Sequence, residues 1–181
     1  TMSDTTDYLL FTTAAQVNSG SNVFGSSLPT SSVIGLSAGS TAAVSKDAIV
    51  YAFADSQFIS TGMYYGNGSS DGKQVYTVNS LGIPIQPRWI MIKRTDGAGE
   101  NWGILDVKRD TYNASDNYIA ANSNAAETGV GANDAFRGDI ITGGFKLRTT
   151  GYSSNKASST YVYLAIGTPM IDTDGRIIGG H

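Results

Sequence analysis

Trp102, Tyr112 and the adjacent pair Tyr64-Tyr65 are the side chains whose type and placement suit ligand binding. Aromatic faces complement the apolar faces of pyranose rings, so such residues near glycine-rich turns can build a sugar-stacking surface. Packing competes for the same residues. Trp89 lies inside the apolar run Trp89-Ile90-Met91-Ile92 and reads as core. Trp102 follows the turn Asp96-Gly97-Ala98-Gly99 and reads more readily as core than as an exposed contact. Acidic chemistry is poorly served. Asp106 and Asp110 stand four apart around Lys108-Arg109. Glycoside hydrolysis needs two carboxylates about 5–10 Å apart, one with a raised pKa. The neighbouring cations would hold both acids ionised, so surface ion pairing is expected instead. Asp172-Thr173-Asp174-Gly175 opens like a calcium loop, but no glutamate follows through His181 to close one, and a turn is expected. His181 is the single histidine, with no second His or Cys to complete a metal site or a triad. Gly97, Gly99 and Gly103 lack the following helix pattern of a dinucleotide fingerprint. No catalytic residue, metal ligand or cofactor is expected.

Composition narrows the classes further. The 181 residues contain no cysteine, which removes disulfides and thiolate chemistry. A chain of this size can bury about 70% of its unfolded surface, so a core needs no staples. Only 15% of residues are charged and the net charge is −3. Nucleic acid requires a basic track to neutralise phosphates. The pairs Lys93-Arg94 and Lys108-Arg109 are each followed closely by Asp96 or Asp110, so no nucleic-acid partner is expected. No run approaches the ~20 apolar residues of a membrane span, and no membrane insertion is expected.

The elements that must hold these residues are strands. Glycine, Ser/Thr/Asn clusters and β-branched or aromatic residues work against helix. Phe145-Lys146-Leu147-Arg148-Thr149-Thr150 alternates and predicts a strand with one wet face. Trp89–Ile92, Thr160–Ile166 and Ala48–Ala54 are apolar on both faces and predict central strands covered on both sides. Gln74–Val78 predicts a shorter strand after the Asp71-Gly72 turn signal. The stretch from Asn122 to Asp139 differs in texture, and Asn122–Asn133, small and polar, reads as a long surface loop, with a short helical turn around Ala125-Ala126-Glu127. The fold class is therefore all-β, an antiparallel sandwich of jelly-roll type, with Trp89, Ile90, Ile92, Phe145, Leu147, Val162 and Leu164 in the core.

An internal repeat of about one and a half copies runs through the chain. Tyr118 lies 110 positions after Tyr8, Leu147 lies 111 after Leu36, and Val162 lies 112 after Val50, each in a similar local context. The copy beginning at Asp7 has no counterpart of Pro87–Arg94. Residues 1–55 form a partial first unit, 56–167 a full unit packed with it as one β domain, and 168–181 a C-terminal extension.

Six segments now stand in order: Tyr51–Asp55, Tyr64–Gly72, Pro87–Asp96, Asn101–Asp110, Asn113–Glu127 and Gly144–Thr150, closed by Tyr161–Ala165. This series resembles a repeat domain of tailed-bacteriophage virion proteins, especially tail-fibre-like and structural proteins of marine and cyanobacterial phages. It spans Asp7 to Ile166 and is densest from Tyr51 onward. The ending Ala165-Ile166-Gly167-Thr168-Pro169 departs from that family's aromatic-acidic closing strand. The resemblance implies a non-enzymatic virion protein, residing in the extracellular particle and partnered by other virion proteins. It implies a homo-oligomer, a trimer if the module sits in a fibre, presenting loops to a host-surface glycan or protein. Capsid decoration, or another head or assembly role without a ligand, is the alternative; a glycan-degrading tailspike is the third.

Overall fold

The computed structural model describes residues 9, 11–15, 30–35, 51–54, 56–127 and 135–178. Among them the chain forms eight strands: β1 (Ile59–Tyr65), β2 (Gln74–Tyr76), β3 (Ile85–Arg94), β4 (Gly103–Asp106), β5 (Tyr118–Ala120), β6 (Gly138–Ile141), β7 (Gly144–Leu147) and β8 (Thr160–Pro169). They build a five-stranded sheet ordered β1-β8-β3-β4-β5 and a three-stranded sheet ordered β2-β7-β6, every pairing antiparallel. The architecture is the all-β sandwich expected.

Alternation decides what each strand buries. Ile90 and Ile92 of β3, Leu105 of β4 and Tyr161, Tyr163 and Ala165 of β8 point inward and are buried. Val75, Phe145 and Leu147 come down from the small sheet to meet them. Phe145 stands edge-on to both Tyr64 and Tyr163, with ring centroids 5.8 and 5.5 Å away. Quadrupoles favour this geometry, which locks the two sheets face to face. Of the expected core, Ile90, Ile92, Phe145 and Leu147 are buried as read. Trp89, Val162 and Leu164 are corrected: they lie half-buried on the outer face of the large sheet. A doubly apolar strand has two hydrophobic faces whether or not a second layer covers both.

Two other expectations fail. Tyr51–Ala54 is not a covered strand: it is irregular and exposed, with Tyr51 80% accessible. Ala125-Ala126-Glu127 forms no helical turn. Most of the first repeat copy, including Asp7, Tyr8, Leu36 and residues 48–50, lies outside the described residues, as do residues 128–134 and His181. The second copy falls on real elements, Tyr118–Ile119 in β5, Phe145–Leu147 in β7 and Tyr161–Ala165 in β8. Past Gly167, β8 continues to Pro169, and Met170 N–H donates to the Pro84 carbonyl at 2.8 Å. Asp172 then makes the expected turn, its carboxylate accepting the N–H groups of Asp174 and Arg176.

Candidate functional site

The candidate cleft sits where β3 breaks its own register. Pro87 pairs with Gly167 but Trp89 pairs with Ile166, so Arg88 is an extra residue in β3. Such a bulge re-aims a side chain. Proline favours it, because a ring nitrogen cannot donate to the ladder. Gly167 permits it: a Cβ there would run into the Gln86 carbonyl. Arg88 is thereby exposed at the rim of an open cleft of about 340 Å³, walled by Gln86, Pro87, Val107, Tyr112, Asn113 and Ile140.

Most polar groups in that wall are already occupied. Gln86 Nε2 donates to the Ile141 carbonyl, and Gly143 N–H donates to Gln86 Oε1. Asn113 exchanges two 2.9 Å bonds with the Ile140 backbone, tying the β4–β5 loop to β6. Asp110, also lining the cleft, accepts Asp116 N–H at 2.9 Å and Asn117 N–H at 3.3 Å. These bonds hold the loop rigidly. Left over are the Tyr112 ring, 82% exposed, and the Arg88 guanidinium, which makes no ion pair among the described residues. A flat aromatic face, a planar five-donor cation and apolar walls from Pro87, Val107 and Ile140 suit a sugar ring bearing an anionic substituent.

The four aromatic candidates do not converge. Tyr64 is core: it stacks on Tyr161 at 5.0 Å and donates to the Ser154 carbonyl at 2.7 Å. Burial pushes its phenol well above the ordinary value, and the Tyr161 phenol adds to the rise. Tyr65, its neighbour, faces the opposite way and is 59% exposed on β1. Trp102 is half-buried at the start of β4, its ring centroid 5.5 Å from Phe11. It opposes the Lys93 end of β3, remote from the Pro87 end where Tyr112 lies. Arg88 and the bulge were missed, although a proline at the head of an otherwise central strand was the available signal.

The acids are corrected as well. Asp106 and Asp110 do not pair with Lys108 or Arg109; the Asp106 carboxylate accepts Lys108 N–H at 2.8 Å and its carbonyl accepts the N–H groups of Arg109 and Asp110, closing the turn after β4. Arg109 pairs with Glu127 instead. Lys93 is fully buried, its Nζ donating to the Glu100 carbonyl at 2.7 Å, and burial lowers its amine below the ordinary value. No group of three acids or histidines close enough to hold a metal occurs among the described residues.

No curated protein matches this chain, and no solved structure does. One family model covers residues 1–168, spanning both sheets and the cleft. The chain belongs to that family, the domain of unknown function DUF7483.

Proposed function

We propose that the chain is a non-enzymatic recognition module of a bacteriophage virion, in a tail fibre or related appendage, that grips an acidic surface glycan in the Tyr112–Arg88 cleft. The virion setting rests on the resemblance of the segments from Tyr51 to Ala165 to phage repeat domains. The cleft carries the binding reading: the exposed Tyr112 ring on a loop tied to β6 through Asn113, and the Arg88 guanidinium of the β3 bulge, which has no ion pair among the described residues. Preorganisation of this kind lowers the cost of binding. Asp110 is the single acid lining the cleft among the described residues, and two backbone N–H groups already occupy its carboxylate, which favours binding over hydrolysis. A decoration role without a ligand is the second reading, favoured by the low charge, which lets neighbours cover much of the surface.

A glycan array tests the proposal. Binding should concentrate on carboxylated or sulfated saccharides. Arg88→Ala should weaken it about tenfold or more, since a hydrogen bond to a charged group is worth about 1.5–3 kcal/mol, and Tyr112→Ala by up to about tenfold through the lost ring contact. Both side chains are exposed, so the fold should be untouched. An array without hits, or hits indifferent to both substitutions, would favour decoration. Immunogold label on intact particles should then fall on the head rather than the tail.

A further inference from the structure

We infer that β1 is a self-pairing edge: two copies of this chain join antiparallel through Thr61, Met63 and Tyr65, making one continuous ten-stranded sheet. The inference goes beyond the virion reading and needs none of it.

The backbone shows which groups are free. Gly167 N–H donates to the Phe58 carbonyl and Gly66 N–H to the Ser159 carbonyl, each at 2.9 Å. In an antiparallel ladder, bonded pairs alternate by two residues. Residues 60, 62 and 64 therefore spend their backbone groups on β8, and residues 59, 61, 63 and 65 point theirs away from the sheet. Ile59 closes back on Ser56 through two bonds. Thr61, Met63 and Tyr65 have no such partner among the described residues. β1 is also the longest edge, seven residues against three or four in β2, β5 and β6.

Nothing among the described residues blunts this edge. Natural edges are protected by lysine, proline, bulges or brevity. Ile59–Tyr65 holds no charge and no proline, and it pairs with β8 without a register break. Its outward side chains stay accessible, Met63 at 37% and Tyr65 at 59%. Beside it runs an open groove of about 270 Å³ lined in part by Gln74 and Tyr76.

The occupant that fits is a second copy. In a two-fold contact the residue on the axis meets itself and the others meet their mates, so a charge at the centre of the strand would meet its like. β1 carries none. The free run is centred on Met63, and a two-fold axis there sets Met63 opposite Met63 and Thr61 opposite Tyr65. Both partners then satisfy all three outward residues. This gives a dimer rather than the trimer expected for a fibre, since each chain spends its β1 edge once.

Because the chain has no cysteine, introduced thiols read the register directly. Hydrogen-bonded antiparallel partners have Cα atoms about 5.5 Å apart, inside the disulfide range of about 4.4–6.8 Å. In the full chain under mild oxidation, Met63→Cys should cross-link to itself. Thr61→Cys alone should not, while Thr61→Cys mixed with Tyr65→Cys should. Met63→Pro deletes both central bonds without touching the β8 ladder. Sedimentation should show its dimer constant weakened about tenfold to a hundredfold. A wild-type chain that stays monomeric at about 100 μM overturns the inference, because the edge is then met within the chain or left free. So does a dimer in which Thr61→Cys cross-links alone as readily as Met63→Cys.

Discussion

The two faces of the five-stranded sheet are nearly equal in hydrophobicity and opposite in fate. Inward stand Tyr64, Ile90, Ile92, Leu105, Tyr161 and Ala165, all buried under the small sheet. Outward stand Met63, Trp89, Met91, Ile104, Val162 and Leu164, half-buried or exposed. The register aligns the outer set into rows: Thr61, Leu164, Met91, Ile104 and Ile119 run side by side across five strands. Apolar composition alone therefore does not make a core. Burial needs a second layer whose rings interdigitate, and Phe145, Val75 and Leu147 supply it on one side. At one corner of the other side, Gly99 N–H donates to the Thr13 carbonyl at 2.8 Å and Phe11 meets Trp102.

Truncating the inner face should have the largest effect. Ile90→Ala leaves a cavity in a fully buried site and should cost about 2–5 kcal/mol in urea unfolding. A loss below about 1 kcal/mol would erase the distinction between the faces. Next comes the loop end that closes the inner face. Asn155 is buried, and its Nδ2 donates to Asn67 Oδ1 and to the Ser69 and Thr149 carbonyls while its Oδ1 accepts Asn67 N–H. Asn155→Ala strands several of these groups and should cost about 2–4 kcal/mol, read as a fall in the urea midpoint. On the outer face, Leu164→Ala should cost only about 1 kcal/mol, because the side chain is already partly in water. A cost equal to that of Ile90→Ala would mean that the outer face is covered in solution.

The smallest effect concerns the solvent face of the small sheet. Lys146 and Arg148 hold the Asp71 carboxyl below its ordinary value, the Lys146 hydrogen bond contributing most. Its folded pKa is thus lower than its unfolded one. The resulting stability is present above the ordinary aspartate range and is lost as pH falls through the folded value. Asp71 is fully exposed, so the gain is slight. Asp71→Asn should lower the melting temperature a little at neutral pH and not at all in strong acid, and added salt should shrink the difference.

Some of this was legible along the chain. The strands around Val75, Ile90, Phe145 and Val162 follow from their apolar periods, and Asp172 announced its turn. Tyr64 and Tyr65 could have been separated at once, because neighbours on a strand point to opposite faces. The candidate cleft was half legible: Tyr112 was named, but Arg88 required the bulge.

Sequence by itself determined that the chain would be all-β and thiol-free. The physical reason is local: propensity, alternation and turn residues act over a few positions. Only the tertiary structure decided which apolar face became core, that Arg88 would swing beside Tyr112, and that β1 would end the sheet with three backbone positions unpartnered among the described residues. Those outcomes depend on pairings between residues as distant as Ile59 and Ile166, and no local pattern encodes which strand stands last.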